Sequence, residues 1–217
     1  MKKCFAAQLL LLLFLSCTYS FSQEETPKFN FNIGGGFGVP MGHTSDFINT
    51  GGNFVVGGGA NMGHMIGFNG EFMWQDLPPK SSVVALTGAP GGSARLYSLT
   101  ANLILHTPES HHAGFYVIGG GGWYHRSWDL TAPSLSLGTV CLPSYAFWGV
   151  ACTNGIVSST TTLDSGSANG GGWNLGAGVT YRFKESHLKI YAESRYHVAY
   201  FSTLDTRILP VTFGLRW

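Results

Sequence analysis

Charge is scarce in this 217-residue sequence: 11% of the residues are Asp, Glu, Lys or Arg, and they nearly cancel at net +1. Outside the N-terminus no basic stripe exceeds a pair of residues, which excludes the electrostatic footprint of a nucleic-acid binder. Long apolar runs are missing too. Beyond the N-terminus nothing approaches the roughly 20 residues of a spanning helix, so any membrane crossing must be made by strands. Cysteine is limited to four residues with no Cys-x-x-Cys spacing, so a redox-active dithiol is not indicated. The glycine runs 34–36 and 119–122 are followed by neither a strand-to-helix switch nor Lys-Ser/Thr, and they make poor phosphate loops.

What is present begins with an export signal. Met1, Lys2 and Lys3 form a positive start, Ala6 to Leu15 a short apolar core, and Ser20-Phe21-Ser22 a small-x-small site. This predicts a secretory signal peptide over 1–22 and a mature chain of 23–217. Cleavage as a lipoprotein with acylation of Cys17 is the lesser alternative. Cys4 and Cys17 leave with the signal. Cys141 and Cys152 remain, an even pair in an oxidising pathway, and a local disulfide is expected.

The mature chain alternates with period two, the signature of strands. The clearest case is its end. Leu188, Ile190, Ala192, Tyr196, Val198 and Tyr200 alternate with Lys189, Glu193, Arg195 and His197, and Val211, Phe213, Leu215 and Trp217 alternate with Thr212, Gly214 and Arg216. The same pattern predicts strands over 29–39, 53–62, 66–75, 95–106, 113–125, 171–183, 188–200 and 207–217. Both faces of 113–125 are apolar or glycine, which leaves its orientation open. Short turns follow the second, fourth and sixth strands, and longer loops follow the first, third and fifth, the longest at 76–94 and 126–169. Trp74, Trp123 and Trp173 fall at one set of strand ends, and Phe29, Tyr181, Phe183 and Trp217 at the other. Strands of roughly 10 residues, aromatic at both ends and apolar on one face, predict an all-β, eight-stranded antiparallel up-and-down transmembrane β-barrel with a polar lumen. A soluble sandwich is the rival fold.

The signal, the alternating segments, Gly34-Gly35-Gly36-Phe37-Gly38, Gly119 to Trp123, Glu193-Ser194-Arg195-Tyr196-His197 and the ending Pro210 to Trp217 resemble the small eight-stranded outer membrane β-barrel proteins of the OmpA/OmpX and opacity-protein type. The resemblance covers the whole mature chain. It implies an outer-membrane location with both termini periplasmic and the long loops at the cell surface. It implies Trp217 as the terminal aromatic read by the barrel assembly machinery. The partners it implies are outer-membrane lipid and lipopolysaccharide, that machinery during insertion, and a host or envelope protein at the surface loops. The sequence departs from the full OmpA pattern in showing no peptidoglycan-binding segment after the barrel.

An eight-stranded interior is just wide enough for side chains. Glu71, Arg182, Lys189, Glu193, Arg195 and Arg216 fall on its lumen faces, where buried charge must be paired. They are expected to form a structural network that plugs the lumen; a narrow pore for small solutes with the same residues as a gate is the alternative. A third reading, a lipid A-modifying enzyme, draws on small barrels with outward His and Ser. Here His125, Ser127 and Asp129 share one face, but i, i+2 neighbours stand roughly 7 Å apart, too far for a catalytic set. His106, His111, His112 and Glu109 cluster near a solvated turn, which reads as turn solvation rather than a metal site. No cofactor is expected. The remaining candidates lie in the long loops, where Cys141 and Cys152 enclose Tyr145, Phe147 and Trp148, aromatics suited to protein contact. The sequence thus reads as a non-enzymatic barrel with an envelope-structural and adhesin-like role.

Overall fold

The computed structural model describes residues 28–63, 65–107, 113–144, 149–183 and 188–217. The signal-peptide and lipoprotein readings of 1–22 lie outside them. Eight strands form the structure: β1 (Phe29–Pro40), β2 (Gly51–Met62), β3 (Ile66–Asp76), β4 (Gly91–His106), β5 (Ala113–Ser144), β6 (Gly149–Arg182), β7 (Lys189–Tyr200) and β8 (Thr206–Arg216). Each pairs antiparallel with the next, and β1 pairs antiparallel with β8 from Asn32↔Arg216 to Pro40↔Ile208, closing a barrel with strand order β1 to β8. Closure leaves the barrel wall with no open edge, so the wall strands pair within the protein, with one gap in the β7–β8 ladder beside Leu209 and Pro210.

Burial along the strands inverts the arrangement of a soluble sheet. In β4, Leu99, Leu103 and Leu105 point out and stay exposed, whereas Ser98, Thr100 and Asn102 point in and are buried. In β8, Phe213 and Leu215 are outside and Thr212 and Arg216 inside. Apolar out and polar in is stable only when the surroundings are hydrocarbon. β5 resolves by the same rule: Tyr116, Ile118 and Tyr124 face the lumen, while Phe115, Val117 and Trp123 face outward. The aromatics band at the two ends. At one lie Trp74, Tyr97, Trp123, Trp173 and Tyr200, with Trp173 Nε1 donating to Tyr200 Oη at 3.0 Å. At the other lie Phe29, Phe31, Tyr181, Phe183 and Trp217. That second end, which carries β1's start and β8's finish, is the terminus end of the barrel; the opposite one is the hairpin end.

The long connections differ from the expected loops. The described residues of 126–169 are strand rather than loop: β5 and β6 run on past the barrel as a two-stranded ribbon, paired from Thr131↔Thr162 to Ser144↔Gly149. These fourteen pairs extend about 45 Å at 3.3 Å per residue. The ribbon escapes detection by periodicity because both of its faces are exposed, so nothing forces apolar and polar residues to alternate. A register shift at Leu130/Thr131 leaves Leu163 without an opposite residue. It falls where β4 stops pairing with β5, at Gly91↔Thr131, so this bulge marks the departure of the ribbon from the barrel. The 76–94 segment likewise shortens: β3 reaches Asp76, β4 starts at Gly91, and a short helix α2 (Ser81–Leu86) lies between them. A one-turn helix α1 (Thr44–Phe47) precedes β2. Both helices, with the 201–205 connection, close over the hairpin end.

Inside, an apolar cluster of Val55, Met73, Leu77, Leu96, Tyr124, Phe201 and Ile208 fills the hairpin end. Ile104, Tyr116 and Ile118 form a smaller one toward the terminus end. These large side chains fit because the facing wall is glycine. Gly178 pairs with Tyr116, and a Cβ there would lie 2.8 Å from Tyr116 Cε1; a Cβ on Gly172 would lie 2.7 Å from Tyr124 Cε2. Gly171, by contrast, has open space around it. Gly178→Val is expected to abolish the compact form that runs with altered mobility on unboiled detergent gels, whereas Gly171→Ala keeps it. An unchanged shift for Gly178→Val would mean that the Tyr116 ring does not fix the wall.

Candidate functional site

The alternation of β3, β7 and β8 brings Glu71, Glu193, Arg195 and Arg216 into one buried interior. Each is at most 6% exposed. Arg195 is the hub. Its Nη1 donates to Glu71 Oε1 at 2.6 Å and Nη2 to Glu71 Oε2 at 3.2 Å, a fork-to-fork pair. Its Nε donates to Glu193 Oε1 at 2.8 Å, and Nη2 reaches the same oxygen. Gly176 opposite Arg195 makes room, since a Cβ there would stand 2.8 Å from Arg195 Cγ.

Neutral groups satisfy the remaining lone pairs. Asn32 Nδ2 donates to Glu71 Oε2 at 3.1 Å while Asn32 Oδ1 accepts from Asn69 Nδ2 at 2.8 Å. Tyr116 Oη donates to Glu193 Oε2 at 2.8 Å. Arg216 lies 3.8 Å from that oxygen and stacks its guanidinium over Tyr116 and Tyr191, at 4.5 and 5.1 Å from the ring centres. Two carboxylates and two guanidiniums therefore balance. Further polar pairs occupy the rest of the lumen: Tyr124 Oη with His197 Nδ1 at 2.9 Å, Asn174 to Asn102 at 2.8 Å, and Asn53 to Thr212 at 3.2 Å.

The other two expected members lie toward the terminus end of the lumen. Arg182 pairs in register with Lys189, and Lys189 with Arg216, a row at the terminus end. The Arg182 and Lys189 side chains are both half-buried.

The remaining candidates separate in space. Cys141 and Cys152 sit directly opposite each other in the ribbon and are joined by a disulfide. Tyr145, Phe147 and Trp148, inside that loop, lie outside the described residues, as do Glu109, His111 and His112. His106 ends β4 and packs its ring 5.9 Å from Tyr116. No group of three metal-ligating side chains occurs among the described residues. His125 gives its Nδ1 to Asn169 Oδ1 at 2.8 Å and stacks on Trp123, and Asp129 accepts from Ser93 Oγ at 2.6 Å. Neither is hydrogen-bonded to Ser127. Trp217 is held by two main-chain bonds to Phe31, 2.8 and 3.0 Å, with its ring stacked on that residue and exposed outward.

One feature escaped the sequence reading. Leu137 stands opposite Ile156, with Leu135 two residues along the same face, and all three are largely bare, at 89%, 68% and 77% exposed. Apolar groups scattered through a Ser/Thr-rich segment gain a common face only once the register is known.

Because Arg195 is the shared cation of two buried carboxylates, Arg195→Met is expected to cost about 3–5 kcal/mol in urea unfolding of the refolded barrel. Adding Glu71→Gln and Glu193→Gln is expected to restore most of it. A loss below about 1 kcal/mol would mean that water screens the pair as at a surface.

Among known families, the model of the outer membrane protein beta-barrel domain matches residues 9–216. No curated protein matches the sequence. The fold is similar to the crystal structure of Neisserial surface protein A, with TM-score 0.58 and 14% identity over 89% of this chain and 98% of that one. It is also similar, at TM-score 0.45 and 13% identity over 88% and 100%, to Ail, the attachment invasion locus protein of Yersinia pestis. The N-terminal β-barrel domain of Pseudomonas aeruginosa OprF gives TM-score 0.44 and 12% identity over 88% and 98%. With a closed eight-stranded wall, a polar lumen, an apolar exterior and a family match across nearly its full length, the chain belongs to the outer membrane protein beta-barrel domain family.

Proposed function

We propose that the protein is a non-enzymatic outer-membrane anchor that displays the β5–β6 ribbon for contact with another protein. Both termini are on the periplasmic side in this reading, the ribbon stands at the cell surface, and Trp217 serves as the assembly signal during insertion. Outer-membrane lipid and lipopolysaccharide surround the wall. The observation that carries the reading is the ribbon itself. It continues fourteen pairs beyond the wall, more than lipid crossing requires, and carries Leu135, Leu137 and Ile156 on one exposed face. Apolar side chains grouped in water are the usual mark of a contact surface. The Cys141–Cys152 bridge ties the two strands together near the tip, which lowers the ordering cost on binding.

A narrow pore is the second reading, supported by one observation: Glu193 faces both Arg195 and Arg216, so its carboxylate has two cations between which to move. The closed-plug reading expects no unitary conductance in planar bilayers for the wild type, Glu71→Ala or Glu193→Ala. Discrete steps in either variant would establish a gate.

Display is tested on intact cells. An epitope inserted between Ser144 and Gly149 is expected to be stained without permeabilisation, and staining only after the outer membrane is opened would reverse the topology. Deleting 132–161 is expected to leave the boiling-dependent gel shift intact while abolishing adhesion to host cells or matrix. Leu135→Ser with Leu137→Ser is expected to weaken adhesion in the same direction.

A further inference from the structure

The hairpin end of the barrel holds a cavity of about 370 Å³, above the apolar cluster and outside the charge network. Its walls come from six places in the chain: Ile48 beside α1, Leu77 after β3, Val84 of α2, Ala94 of β4, Trp128 of β5 and Leu204 before β8. That volume is in the range of small-molecule sites, and a nearly all-apolar lining fits a chain of methylenes rather than a polar metabolite.

The walls are fixed to one another by hydrogen bonds that need no ligand. Asn49 N–H donates to Pro78 O at 2.8 Å, Lys80 N–H to Phe47 O at 2.8 Å and Leu77 N–H to Ala94 O at 2.9 Å. Thr44 Oγ1 accepts the Arg207 N–H at 2.9 Å. Arg126 spans from β5 to the opposite wall, donating to Thr206 Oγ1 at 3.0 Å, Leu204 O at 3.3 Å and Thr203 Oγ1 at 3.3 Å, with its guanidinium over Phe201. A pocket built this way is open before anything enters it, which removes much of the ordering cost of binding.

We propose that this cavity binds the tail of a free single-chain amphiphile, such as a fatty acid or a fatty alcohol, with the head left in water. The charges around the cavity support a tail-only contact. Arg126 and Asp205 line it with opposite signs, and Arg126 already spends donors on the wall, so no net charge selects the head. The height of the cavity supports a free molecule over a bilayer lipid. Leu77 and Ala94 lie three residues beyond the Trp74–Tyr97 pair of the aromatic band, roughly 10 Å farther along the strands. Acyl chains of the bilayer end below that band.

The test is photolabelling of the full protein in phosphatidylcholine nanodiscs with a diazirine derivative of dodecanoic acid, followed by peptide mapping. The expected result is label in 77–94 and 126–130 in addition to the lipid-facing wall. Ala94→Trp and, separately, Val84→Trp should remove the cavity label and leave the wall label, which itself reports that the barrel is folded. Competition should strengthen by about ten-fold for each two carbons added from octanoate to dodecanoate, and dodecanol should compete as well as dodecanoate. Label confined to the lipid-facing wall overturns the proposal, as does cavity label that both tryptophan variants leave unchanged. Dodecanoate competing where dodecanol does not would overturn the tail-only contact.

Discussion

The Arg195 guanidinium, clamped between Glu71 and Glu193, is the interaction on which the interior depends. Burying ions in so narrow a lumen is costly, and close, hydrogen-bonded counter-charges offset that cost at Arg195. Arg195 joins β7 to β3 across a separation of 124 residues, and Glu193 extends the link to Tyr116 of β5 and toward Arg216 of β8. Half the strands thus meet at one electroneutral centre. The wall supplies the room: Gly176 beside Arg195 and Gly178 beside Tyr116 are flat places where a side chain would collide.

How much of this was legible in the sequence follows from what each residue faces. β7 and β8 could be read at once, because one neighbour of every position is hydrocarbon and the next is a polar lumen, so Ile190, Glu193, Arg195 and Phe213 sort themselves by alternation. β5 could not. Gly119 to Gly122 supply no side chain to sort, and Tyr116 and Tyr124 enter the lumen with rings as apolar as those outside. Only their hydroxyls, bonded to Glu193 and His197, justify the inward choice. Alternation also fixes a face without fixing a depth: it places Arg182 and Lys189 on the lumen side, and only the register shows that they pair in a row with Arg216 toward the terminus end. The ribbon resembles a loop in sequence for a related reason. A strand wet on both faces has no pattern to display, and the Ser134–Ser159 and Thr161–Ser134 hydrogen bonds that link its strands depend on a register not visible in the chain.

The two ends of the barrel are built differently. Toward the terminus end three cations, Arg182, Lys189 and Arg216, pair in register across β6, β7 and β8. At the hairpin end two short helices and the 201–205 connection are bonded into a rim over an apolar floor. The cavity above that floor belongs to no single strand, so no periodicity announces it. It arises from where loops of unrelated composition meet, and Arg126 ties it across from β5 to the 203–206 side.

The position of the Cys141–Cys152 bridge also has a mechanical meaning. A two-stranded ribbon pulled at its tip opens like a zipper, one cross-strand bond at a time, which is the weakest direction in which such a structure can be loaded. Peeling from 145–148 would stop after the pairs from Leu142↔Ala151 to Ser144↔Gly149, because the next pair is covalent. Beyond that point tension runs down both strands side by side into the wall, and the ribbon behaves as a tether under load rather than as a seam.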